Sequence, residues 1–109
     1  MTFLVNRKRR DLQDAHFVTL LLVAAERARG SEGYVPGREA GITRAAEIPS
    51  RIRTAVADAV PEGFSIVQLL DGGIRLHPLV AVAPIPWEVF ERAANPVIQA
   101  VAARERKRR

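Results

Sequence analysis

The 109-residue chain contains no cysteine. Disulfides and thiolate-held zinc are therefore excluded, and a reducing, cytoplasmic location is expected. Long apolar runs are missing too. The longest, Val18 to Ala25, is interrupted by Thr19, and a bilayer span needs roughly 20 apolar residues, so no membrane partner is expected. The N-terminal basic cluster is not followed directly by an apolar segment with a small-residue cleavage site, so no secretory leader is expected. Catalytic patterns are equally scarce. The two histidines, His16 and His77, are far apart in the chain. Asp14 and His16 are two residues apart and do not share a helical face. Glu88 and Glu91 fall opposite Trp87 and Phe90 and read as a solvated face. The loop GSEGYVPG, residues 30–37, has no Gly-Lys-Ser/Thr after it and is not a phosphate loop. No enzyme activity, cofactor or metal is expected.

What is present suits one modest core. The apolar fraction is ordinary for a globular chain and the length fits a single domain. The net charge of +5 is unevenly placed. Residues 1–10 carry Arg7, Lys8, Arg9 and Arg10, a charge of +4, and residues 104–109 also carry +4, which leaves −3 for residues 11–103. The expected organisation is a basic N-terminal arm over 1–10, in which Phe3 to Val5 either pairs as a short edge strand or packs on the body and Asn6 to Arg10 is solvated, then one globular domain over 11–103 and a basic tail over 104–109. Clustered cations of this kind either solubilise a chain end or follow nucleic-acid phosphate.

The firmest local pattern is Asp71-Gly72-Gly73 between two apolar runs. An Asp-Gly pair suits a type I′ hairpin turn, whose two central residues need φ > 0. That turn pairs Leu70 with Gly73, Leu69 with Ile74 and Val67 with Leu76. It sets Val67, Leu69, Ile74 and Leu76 on one apolar face and Phe64, Ile66, Gln68, Arg75 and His77 on a mixed one. Before the hairpin, Pro49 to Val60 reads as a helix, with Pro49 in the first turn, Ile52, Val56 and Ala59 or Val60 in phase, and Pro61 and Gly63 as stops. Glu39 to Glu47 is also helical in character. It joins the next helix either through a turn near Glu47–Ile48 or as one helix kinked at Pro49. Asp11 to Arg29 reads as the longest N-terminal helix, capped by Asp11 and stopped by Gly30. Tyr34-Val35 is a candidate short strand against the hairpin. Leu20, Leu21, Ile52, Val56, Leu69 and Leu76 are expected to be buried together.

Helix, short turn, helix and a glycine-tipped hairpin with a returning Ile74-Arg75-Leu76 strand resemble a winged helix-turn-helix domain over roughly residues 12 to 80. Gly37 and Gly41 depart from the pattern by weakening its first helix. The resemblance implies an α+β, mainly helical fold with extra N- and C-terminal helices. It also implies DNA as the partner, with Ser50, Arg51, Arg53 and Thr54 on the groove-facing helix and Arg75 on the wing. Arg44 and the terminal cations Arg7, Lys8, Arg9, Arg10, Arg104, Arg106, Lys107 and Arg108 would follow phosphate.

After the hairpin, Pro84 and Pro86 punctuate an extended stretch, and Trp87, Phe90 and Ala94 share a face. Asn95-Pro96 is a helix-start signal. The C-terminal region is either two short helices with a break near Asn95 or one kinked helix. Val97, Ile98 and Val101 would either anchor a homodimer or close the chain's own core. The leading expectation is a DNA-binding transcriptional regulator or nucleoid-associated factor, dimeric if those residues face outward. The alternative is a protein-interaction or assembly subunit whose basic tails are solvated or contact RNA.

Overall fold

The structure, a computed structural model, describes residues 1–36, 47–70 and 72–107. In chain order these form β1 (Thr2–Val5), β2 (Lys8–Asp11), α1 (Asp14–Ala28), β3 (Tyr34–Pro36), α2 (Glu47–Val56), β4 (Val67–Leu70), β5 (Gly73–Leu76), α3 (Trp87–Phe90) and α4 (Pro96–Lys107). β1 and β2 pair antiparallel in a sheet of their own. The second antiparallel sheet has the order β3-β5-β4, with β5 central. The domain is α+β, and the expectation of a mainly helical chain is corrected. Phe3 to Val5 lies in a strand, one of the two expectations for it, whereas the basic run is corrected from a solvated arm to the strand β2 that pairs with it, and Tyr34–Pro36 adds a third strand to the second hairpin.

The β4–β5 register is the one the turn chemistry dictates, with Val67 opposite Leu76, Leu69 opposite Ile74 and Leu70 opposite Gly73. Gly72 has φ 75°, the left-handed value that favours glycine at the second central position of the turn, while Asp71 lies outside the described residues. Gly73 is needed for another reason, since a Cβ there would lie 2.5 Å from the Val35 carbonyl oxygen and 2.6 Å from the Tyr34 hydroxyl. Of the four residues on the apolar face, Val67, Ile74 and Leu76 are buried, but Leu69 is 50% exposed. Its place in the core is corrected. β4 is an edge strand, and Leu69 stands beside its tip. Val67, at the base of the strand, is 1% exposed, and α2 packs on β4.

α1 supplies the centre of the core through Phe17, Val18, Leu21, Leu22, Val23 and Ala25, while Leu20 is only half-buried against it. Asp11 does not cap this helix. It ends β2, and the helix starts at Asp14 after Gln13, whose side chain makes no capping bond. Gly30, at φ 88°, terminates the helix as expected. Ile52 and Val56 of α2 are fully buried against the same cluster. Glu47 and Ile48 are helical, so no turn lies there; the helix expected over 39–47 falls almost wholly outside the described residues. Arg27 fastens the far end of the sheet. Its guanidinium donates to the carbonyls of Glu32, Leu76, His77 and Val80 at 2.6–3.3 Å.

The C-terminal region is two helices, with Asn95 between them as expected. The Asn95 Oδ1 accepts from the backbone N–H of Val97 at 2.9 Å and of Ile98 at 3.2 Å, a side-chain cap over the first turn of α4. Phe3, Phe17, Phe90 and Trp87 form a row of ring contacts, with centroids 5.6–6.3 Å apart, that joins β1, α1 and α3. Ile98 is 0% and Val101 7% exposed within this chain, whereas Val97 is 53% exposed. Ile98 and Val101 therefore close the chain's own core against α1 and α3, and their role as subunit anchors is corrected. Residues 104–107 do not leave the fold. They complete α4, where Glu105 is buried and ion-paired with Arg29, the residue that follows α1.

Candidate nucleic-acid interface

The candidate surface is built on α2. Burial of Ile52 and Val56 fixes which side of the helix faces the core, so Ser50, Arg51, Arg53 and Thr54 face solvent. Neither Arg51 nor Arg53 makes a hydrogen bond or ion pair with the described residues. The Thr54 hydroxyl is engaged locally and donates to the Ser50 carbonyl at 3.0 Å.

The N-terminal hairpin brings its own cations to the C-terminal end of this helix. Its turn residues Asn6 and Arg7 both have positive φ, 48° and 69°, and Val5 pairs with Lys8 across them. This is a two-residue type I′ turn. The pairing sets Phe3, Val5, Lys8 and Arg10 on one face and Thr2, Leu4, Arg9 and Asp11 on the other. The first face looks inward: Phe3 packs on Phe17 of α1, while Lys8 and Arg10 reach the residues after α2. The Asn6 amide donates to the Ala59 carbonyl at 2.8 Å and the Lys8 ammonium to the Asp58 carbonyl at 2.9 Å. The Arg10 guanidinium grips both carboxylate oxygens of Asp58, at 2.8 and 2.6 Å. Cations at a helix C-terminus also meet the negative end of its dipole. The Arg10 hydrogen bond holds the Asp58 carboxyl below the usual aspartate range; Arg10 and Lys8 charges act in the same direction.

Other expected contact residues lie elsewhere. Arg75 sits on the central strand, half-buried, and donates to Gln68 on β4 at 3.0 Å. It is not a projecting wing residue. Arg106 pairs with Glu91 at 2.6 Å, and Arg104 lies 3.8 Å from Glu105. With exposed Lys107 they stand on α4, which packs on α1 and α3, while the cationic hairpin meets α2. Arg44 and Arg108 lie outside the described residues. Sequence reasoning missed Asn6 and Asp58. Asn followed by a cationic residue at positive φ lacks the glycine that marks most such turns. Asp58 is one carboxylate among many until the hairpin is folded.

An apolar groove of about 670 Å³ lies between the hairpin, α1 and the 79–86 segment, lined by residues such as Phe3, Leu20, Phe64, Val82 and Ile85. Among the described residues no cluster of three or more His, Cys, Asp or Glu side chains could hold a metal ion, and no helix is long and apolar enough to cross a membrane. No protein-family model matches the chain, and no match was found among curated proteins or solved structures.

Proposed function

We propose that the chain is a small cytoplasmic DNA-binding protein, of the regulator or nucleoid-associated kind, that lays the outer face of α2 against duplex DNA. The two-faced character of α2 carries the reading. Its inner face is locked by two fully buried residues, Ile52 and Val56. Its outer face offers two arginines with no partner among the described residues, and arginine is the side chain best suited to bidentate contacts with guanine edges or phosphate. The element order supports it. Among the described residues a helix, a strand, a helix and a hairpin follow one another, with that strand beside the returning strand of the hairpin, and a winged domain has such elements in this order. The role of Arg75 as a wing contact is not part of the proposal, and neither is a dimer built on Ile98 and Val101.

The test is fluorescence anisotropy with duplexes of different sequence. Arg51→Ala combined with Arg53→Ala should remove sequence preference, since one good base contact contributes about 1–3 kcal/mol. Weak, salt-sensitive binding should remain. A double variant that ranks duplexes as the wild type does would refute the reading. The second reading, a protein-interaction subunit, is favoured by the apolar groove and by Leu4 and Leu79, which are 69% and 81% exposed. It takes over if the intact chain binds no duplex at low salt.

A further inference from the structure

We infer that the N-terminal hairpin is a backbone clamp, in which Arg7 and Arg9 contact duplex phosphate beside the C-terminal end of α2. This rests on the DNA-binding reading of α2 and adds a second contact element to it. Three observations carry it.

The hairpin divides its side chains by task. Asn6, Lys8 and Arg10 all bond to Asp58 or Ala59, the residues that follow α2. Arg7 and Arg9 are exposed, and neither guanidinium has a partner among the described residues. The first three fix the position of the turn, and the other two are left facing water.

The anchoring point also joins the two surfaces. Asp58 is exposed and stands four residues beyond Thr54, at the end of the face that carries Arg51 and Arg53. Lys8 and Arg10 cross to that point, so the hairpin's cations continue the cationic face of α2. Among the described residues two carboxylates touch this strip, Asp58 at the anchor and Asp11 on the Arg9 face of the hairpin, against the cations Arg7, Lys8, Arg9, Arg10, Arg51 and Arg53, so the strip is basic although residues 11–103 carry −3 overall. A cationic surface of this kind releases counterions when it meets a duplex.

Arg7 itself adds the third. At φ 69° it occupies the turn position where glycine is preferred, a left-handed conformation that costs a non-glycine residue free energy. Glycine would make the better turn, so the arginine in this sequence carries a backbone cost that a phosphate contact by its charge would offset.

The test compares wild type, Arg7→Gly with Arg9→Ala, and Arg51→Ala with Arg53→Ala. Each full-length protein is titrated against random-sequence and preferred duplexes over a series of salt concentrations. Each phosphate contact contributes about 0.9 to the slope of log affinity against log salt, so losing two should make the slope shallower by about 1.8. The hairpin variant should weaken every duplex alike and keep their ranking. Its thermal midpoint should not fall, because Arg7→Gly relaxes the turn; lost binding then cannot be ascribed to lost folding. An unchanged salt slope in the hairpin variant overturns the clamp, and it leaves the α2 reading standing if the helix variant loses preference. A shallower slope in the hairpin variant, with a helix variant that behaves as wild type, keeps the phosphate contact and refutes the α2 reading. A wild-type chain that binds no duplex overturns both.

Discussion

Ile98→Ala offers the sharpest test of how the C-terminal helix is used. Ile98 is 0% exposed, one turn after the Asn95 cap, inside the cluster that joins α4 to α1 and α3. Truncating a buried Ile to Ala removes its transfer free energy and leaves a cavity, at a cost of about 2–5 kcal/mol. Alanine is the better helix former, so the loss reports packing and not helix propensity. Stability of a domain this size is roughly 5–15 kcal/mol, and each kcal/mol moves the midpoint by roughly 4–8 °C. The expected fall is therefore on the order of 10–30 °C in thermal unfolding followed by circular dichroism. Ile98→Val should lose about 0.5–1.5 kcal/mol by the same logic. Val97→Ala, at a position 53% exposed, should change stability by no more than about 0.5 kcal/mol. Sedimentation gives the second arm. If Ile98 were a subunit anchor, Ile98→Ala would shift a dimer toward monomer with little change in monomer stability. That result, or a midpoint unchanged in both Ile98 variants, would refute the packing argument.

Two further outcomes follow from specific contacts. Asn95→Ala should cost about 1 kcal/mol, because two backbone N–H groups of α4 lose their acceptor; denaturant unfolding at constant m-value measures it. The hairpin anchor should respond to acid through Asp58. Its folded-state pKa is depressed, so its stabilising contribution is complete at neutral pH and is lost only as pH falls below the usual aspartate range. Amide NMR shifts of residues 6–10 should show that step in the wild type and lack it in Asp58→Asn.

Local chemistry was readable wherever one element decides its own shape. Asp71-Gly72 set the β4–β5 register and Asn95-Pro96 set the start of α4, because a two-residue turn and a capped first turn depend on their own residues. Failures came where a distant element decides. Val97, Ile98 and Val101 form an apolar stripe that serves a dimer as well as a core. Only the approach of α1 and α3 buries Ile98 and Val101. Leu69 follows the alternation of its strand, yet the alternation does not say that the strand is an edge and that its tip stands clear. The run Asn6 to Asp11 shows no apolar alternation, so nothing in it announces a strand. It becomes one because Phe3 and Val5 have a core to face and Asp58 offers Lys8 and Arg10 a partner.

The same dependence governs the charge. Counted along the sequence, the basic residues at the two ends look equivalent, and the body between them looks acidic. Folding divides them by whether a carboxylate or carbonyl is within reach. Arg10, Arg27, Arg29, Arg75 and Arg106 are tied to neighbours, and a cation already satisfied must break those contacts before it can reach a ligand. Among the described residues Arg51, Arg53, Arg7 and Arg9 have no such contact to break, and neither have exposed Arg92 and Lys107. The first four sit on one helix face and on the hairpin fastened to its end. A ligand that needs several cations at once would meet them there, without the rearrangement that the tied arginines would demand. What sets α2 apart is that its unpaired cations stand together with those of the hairpin, a grouping that net charge does not reveal.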